Sequence, residues 1–183
     1  VPPTIFHLFE NSLYNHFDED KIDFLLRVCI FDKFTKEQAR FVRRKDDPVE
    51  LLKSIVDANE FVKFDEKYRN YRIQKFFAEY LQLRLSQKDI RYRKEVYRHA
   101  ADWYYLNGRF FQATLCYYKS GNFEDMLKSF ERDKGEGMSE LNREGMLNAF
   151  NACSTAMRRA HPIANMIFAK QFFLMDEKEL LDQ

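Results

Sequence analysis

The chain has 183 residues, 45% of them hydrophobic and 32% charged, with 30 basic against 29 acidic side chains and a net charge of +1. That is enough apolar material for one large or two small cores. The charge balance gives no electrostatic case for nucleic acid or an anionic membrane over the chain as a whole. Only 5 Gly and 4 Pro accompany 19 Phe and 10 Tyr, which favours helices joined by short turns over sheets and long loops.

Along the chain, Ile5, Leu8, Phe9 and Leu13 form one stripe of a helix expected over 4–16. Asp18 is placed to cap the next helix, whose buried face is Ile22, Leu25, Leu26 and Cys29. Thr35 with Gln38 makes a capping box for a helix to about Arg44. Asp47 and Pro48 supply an N-cap and first-turn proline for a helix to Ala58. Phe61–Phe64 and Tyr71–Ile73, separated by a polar stretch, are the one plausible hairpin. Helices, then a hairpin, then another helix is the order of a winged helix-turn-helix.

From Gln74 onward the pattern is helical, with Phe76, Phe77, Tyr80, Leu81 and Leu85 expected on one buried face. A longer helix aligns Val96, Ala100 and Trp103 beside Tyr97, Ala101 and Tyr104, and Gly108 ends it. Short helices are expected over 109–119 and 122–132, a loop at 133–137, and helices over 139–159 and 162–175. YYLNGRFFQATL (104–115) is echoed by YYKSGNFEDMLK (117–128), 13 residues on. Each unit ends a helix on glycine and restarts on an aromatic, as stacked helix-turn-helix repeats do. The expected fold is mainly α, a winged helix-turn-helix with one β-hairpin over 1–86, followed by tetratricopeptide-like antiparallel helix pairs over 87–183.

Candidate chemistry is sparse. Cys29, Cys116 and Cys153 form no CxxC and read as buried thiols in a reducing cytosol. His7, His16, His99 and His161 show no metal spacing, so no catalytic and no metal residue is assigned. Asp18-Glu19-Asp20 and Asp176-Glu177 fall at apparent helix starts, where carboxylates complement the helix dipole. No stretch has the roughly 20 apolar residues that span a bilayer, and no signal peptide opens the chain. The expected place is the cytoplasm.

The runs YRIQKFFAEYLQLRL (71–85), YRHAADWYYLNGRFFQATLCYYKSGNFEDML (97–127) and FLLRVCIFDKFTKEQARFV (24–42) resemble the MalT-like family of LuxR-type bacterial transcription activators. The resemblance covers roughly residues 5–130 and weakens after Gly137. It implies an ATPase domain before this segment and a DNA-binding helix-turn-helix domain after it, with ATP bound by the intact protein. No GxxxxGK[ST] occurs here, so no cofactor is expected in this segment itself. Where the family's winged helix carries a nucleotide-sensing histidine, this chain has Gln74, whose amide is still a donor.

The expected recognition helix offers Asp47, Glu50 and Asp57 against Lys53, which disfavours DNA binding through this segment. Arg69, Arg72, Arg91, Arg93 and Lys94 are candidates for docking the ATPase domain. Tyr104, Tyr105, Phe111, Tyr117 and Tyr118 are candidates for a surface that meets a small-molecule or protein effector, with inter-helix packing as the plainer role. The functional expectation is a non-enzymatic signal relay between an effector and the ATPase and DNA-binding domains. The alternatives are a stand-alone helical-repeat scaffold for protein partners and an autonomous DNA-binding winged helix.

Overall fold

The computed structural model describes residues 7, 9–11, 17–45, 48–58 and 61–181, with side chains up to Met175. It divides into two compact units, Val1–His99 and Ala100–Gln183. The helix expected over 4–16 is helical at 7 and 9–11, and the rest of that stretch, like the Asp47 cap, lies outside the described residues.

In the first unit the order is α1 (Glu19–Val28), β1 (Lys33–Phe34), α2 (Lys36–Arg43), α3 (Val49–Ala58), β2 (Val62–Asp65), β3 (Asn70–Ile73), α4 (Lys75–Ser86) and the start of α5 (Ile90–Leu106). The caps at Asp18 and Thr35 form: Asp18 Oδ1 accepts from Lys21 N at 2.9 Å and Thr35 Oγ1 from Gln38 N at 3.2 Å, each satisfying an otherwise orphaned amide. Of the expected Thr35–Gln38 capping box this half is made. The hairpin pairs Val62 with Ile73 and Asp65 with Asn70. Arg69 turns it at a φ of 50°, and Asp65 Oδ1 accepts from Tyr68 N.

A third strand, β1, was not expected. It pairs antiparallel with β3, Lys33 opposite Arg72 and Phe34 opposite Tyr71, giving the strand order β1-β3-β2. Two residues are too few to show period-2 patterning, and their partner lies nearly forty residues away in sequence. Helix, strand, two helices and a β-hairpin make a winged helix. Its core is Phe24, Leu25, Leu26, Val28, Phe34, Leu52, Ile55, Phe77 and Leu81, all at or below 1% exposure. Each such side chain contributes about 2 kcal/mol of burial.

Phe76 departs from expectation: it is 47% exposed. The buried stripe of α4 is Phe77, Tyr80, Leu81 and Leu85, and a residue one step before Phe77 is turned about 100° away from it.

The second unit continues with α6 (Phe110–Ser120), α7 (Phe123–Asp133), a 3-10 turn (Glu140–Asn142), α8 (Arg143–Ala152), α9 (Thr155–Ala160) and α10 (Pro162–Leu181). Helices α6 and α7 pack along each other, and α10 packs against α7. The 13-residue echo is structural. Gly108 and Gly121 both take left-handed φ, 72° and 78°, a conformation with no Cβ penalty only for glycine. After each glycine the chain restarts so that Tyr105 meets Phe110 edge-on at 5.4 Å and Tyr118 meets Phe123 at 6.3 Å.

The helix expected over 139–159 is broken. Cys153 is extended (φ −74°, ψ 134°), and Ser154 starts α9 by accepting from Met157 N at 3.2 Å. A serine hydroxyl competing for backbone amides is what favours such a restart. The final helix runs past the expected end at 175 to Leu181, so Asp176 and Glu177 lie inside it and not at a helix start.

Candidate interaction surfaces

Gln74 stands at the N-terminus of α4. Its amide donates to the Phe61 carbonyl at 2.7 Å, and its carbonyl accepts from Ala78 N at 2.9 Å. The side chain makes no capping bond and is exposed. It opens on a cleft of about 600 Å³ whose apolar wall is Cys29, Phe31, Ile73 and Ala78, and whose polar wall is Asp32, Lys33, Arg72, Lys75, Glu79 and Gln82. The first-turn amides and the three cations make the mouth attractive to an anion, and a phosphate oxygen fits that donor set. Asp32 and Glu79 oppose a large polyanion there.

The docking candidates do not form one patch. Arg72 lies at the centre of the sheet between Lys33 and Lys63. Arg69 lines a different hollow, with Phe64, Tyr68 and Tyr71. Arg91 and Lys94 are exposed on α5, while Arg93 is half-buried and its Nε has no hydrogen-bond partner among the described residues.

On α3, Glu50, Lys53 and Asp57 are exposed, and the Ser54 hydroxyl is turned inward to the Leu51 carbonyl at 2.9 Å. Of the basic side chains at the end of α2 and just after it, Arg43 and Lys45 both pair with Asp20, at 2.6 and 2.9 Å. The Lys45 and Arg43 hydrogen bonds hold the Asp20 carboxyl below its ordinary pKa. The surface that would approach a DNA backbone is therefore acidic, and part of its nearby positive charge is already neutralised.

The long-range part of one polar cluster had no signal in the sequence. Arg27 reaches from α1 to Asp23 Oδ2 at 2.9 Å, Glu95 Oε1 at 3.0 Å and His99 Nδ1 at 3.4 Å, and the Tyr92 hydroxyl donates to Asp23 at 2.8 Å. Burial alone would raise the Asp23 carboxyl, but hydrogen bonds from Arg27 and Tyr92 and the guanidinium charge leave it lowered. Burial and the bond to Asp23 together push the Tyr92 phenol up. His99 is buried against this network, so it is a structural histidine with hydrogen-bond partners. Asp23 and Arg27 are an (i, i+4) pair that helical spacing encodes, whereas Glu95, His99 and Tyr92 meet them from about seventy residues away, a pairing that it does not encode.

In the second unit, Tyr104, Phe111 and Tyr117 are buried, and Tyr105 and Tyr118 keep part of their rings exposed. Arg109 lies over the Tyr104 ring at 5.3 Å, and the Tyr117 hydroxyl donates to Asp102 at 2.8 Å. Phe111 also receives the backbone of Gly137, where any Cβ would lie 2.7 Å from the ring's Cδ2. All three cysteines are buried and free, and burial pushes the Cys29 and Cys116 thiols up to about 12. At neutral pH such thiols are protonated and unreactive. Among the described residues no cluster of three His, Cys, Asp or Glu side chains is placed to hold a metal ion, and no helix is long and apolar enough to cross a membrane.

These elements define a winged helix followed in sequence by helical repeats. Residues 10–93 match the family model of the MalT winged helix domain, so the chain carries a MalT-like winged-helix region. A search of curated proteins finds no match.

Proposed function

We propose that this chain is a signal-relay segment of a bacterial, cytoplasmic MalT-type transcription regulator of the LuxR class. The winged helix docks on the regulator's own ATPase domain. The helical repeats couple an effector, small molecule or protein, to that contact. The DNA-binding domain lies elsewhere in the intact protein. Regulation is a shift between closed and open arrangements, driven by contacts that differ between the two states. No residue of the segment is assigned a catalytic role.

The observation that carries this reading is the MalT winged-helix match over residues 10–93. The acidic outer face of α3 supports it, because a winged helix built to read DNA presents donors and positive charge there. ATP would be held by the ATPase domain. From this side Gln74 would offer an amide donor at the helix N-terminus, beside Lys33, Arg72 and Lys75.

Reading the coding frame on both sides of the segment tests the proposal. A phosphate-binding loop upstream and a LuxR-type helix-turn-helix downstream are the expected result. A frame that closes on both sides without either would leave a free-standing helical scaffold for protein partners.

A further inference from the structure

The sheet register sets three cations in one row. Lys33 on β1 faces Arg72 on β3, and Arg72 faces Lys63 on β2. Side chains alternate between the two faces of a sheet. Phe34, Tyr71 and Ile73 therefore turn to the buried side, and Lys33, Arg72 and Lys63 share the outer face, where all three are exposed. Directly opposed residues have Cβ atoms about 5 Å apart, and like charges so placed repel. Among the described residues the side chains of Lys33 and Arg72 make no hydrogen bond or ion pair. The facing Lys33–Arg72 pair therefore costs the first unit stability.

The row ends at the cleft beside Gln74, whose lining includes Lys33, Arg72 and Lys75 with Phe31 and Ile73. The geometry points to a docking face for an acidic protein segment: its carboxylates lie along Lys33, Arg72 and Lys63, and one apolar side chain enters the cleft. The carboxylates of Asp32 and Glu79 in the same cleft favour a protein over a nucleic acid. A polypeptide brings amide and lysine donors to meet them, whereas a phosphate backbone meets them only with charge. The inference rests on the docking reading for the partner's place in the intact regulator, but its chemistry is testable without that partner.

The full chain is titrated with a labelled peptide of glutamates interrupted by one leucine, with the all-glutamate peptide, and with single-stranded DNA of equal charge. The leucine peptide should bind best, in a salt-sensitive manner. Arg72→Gln and Lys33→Gln should each weaken it about fivefold, the size an exposed ion pair supports. Arg132→Gln, on the exposed face of α7, should leave binding unchanged. In the same variants, relief of repulsion should raise the melting temperature by about 2 °C, a gain that a merely structural role for either residue would reverse.

Peptide binding that survives both substitutions overturns the inference. So does DNA that binds more tightly than either peptide, or Arg72→Gln and Lys33→Gln variants that lose stability. Weakened binding with raised stability upholds it even if the coding frame proves to hold no ATPase domain.

Discussion

The two units are held by different means. In the first, polar and ionic ties join residues far apart in sequence: Arg27 to Glu95 and His99, Tyr92 to Asp23, Arg43 to Asp20. In the second, such ties are fewer among those described, as from Glu131 to His161 and Ala164, and one local pattern is used twice, so that Tyr105–Gly108–Phe110 and Tyr118–Gly121–Phe123 repeat the same turn. Local repetition can be read from sequence and long-range polar pairing cannot. The first unit should therefore answer more to charge and pH than the second, and the second more to the volume packed around its repeated turn.

The largest effect should come from packing in the second unit. Gly137→Ala pushes a methyl into the Phe111 ring, and overpacking of this kind costs about 3 kcal/mol. Denaturant unfolding followed by Trp103, the only tryptophan and a residue of the second unit, should report it. A change under half that size would mean that the loop moves aside and that the contact does not shape the unit.

Next comes the ionic hub of the first unit. Arg27→Met leaves the half-buried Asp23 without its guanidinium and should cost about 2 kcal/mol, the scale of a hydrogen bond to a charged group. Exchange protection of α1 and the first half of α5 should fall. Unchanged protection there would show that the aromatic and aliphatic core alone holds the unit.

Acid should loosen the first unit more than the second, where the lowered Glu124 carboxyl is offset by a raised one. Asp18, Asp20 and Asp23 have carboxyls held below the ordinary value of 3.8. Their stabilisation is present above that value and is lost as pH falls through it and below. Burial raises Asp133, in the second unit. Its ionisation opposes folding, so protonation relieves a cost as pH falls. Hydrogen exchange resolved by segment should show the first unit loosening first below about pH 4. Loss of α7 protection ahead of α1 would contradict the contrast.

The smallest effect tests the repeat. Tyr105→Leu and Tyr118→Leu should each cost about 1 kcal/mol, the worth of an aromatic pair, and by nearly equal amounts. Clearly unequal costs would mean that the echo in sequence is not one of energetics.

The same division explains what the sequence revealed. Caps at Asp18 and Thr35, the hairpin over 62–73 and the paired glycine stops are all local, and each was legible. Strand β1 was hidden because its two residues acquire meaning only opposite Arg72 and Tyr71. Phe76 and Phe77 are equally apolar, and which one is buried depends on the other helices. The break at Cys153 was masked by helical residues on both sides. Of the candidate surfaces, the charge of α3 could be read directly. The gathering of Lys33, Lys63, Arg72 and Lys75 could not, because it needs the sheet register.

The central claim is that this winged helix meets protein and not DNA. A gel-shift titration of the full chain against mixed double-stranded fragments tests it most directly. Only weak, sequence-indifferent retention that vanishes at physiological salt is expected. Sequence-selective, sub-micromolar binding, lost on substituting the exposed residues of α3, would contradict it.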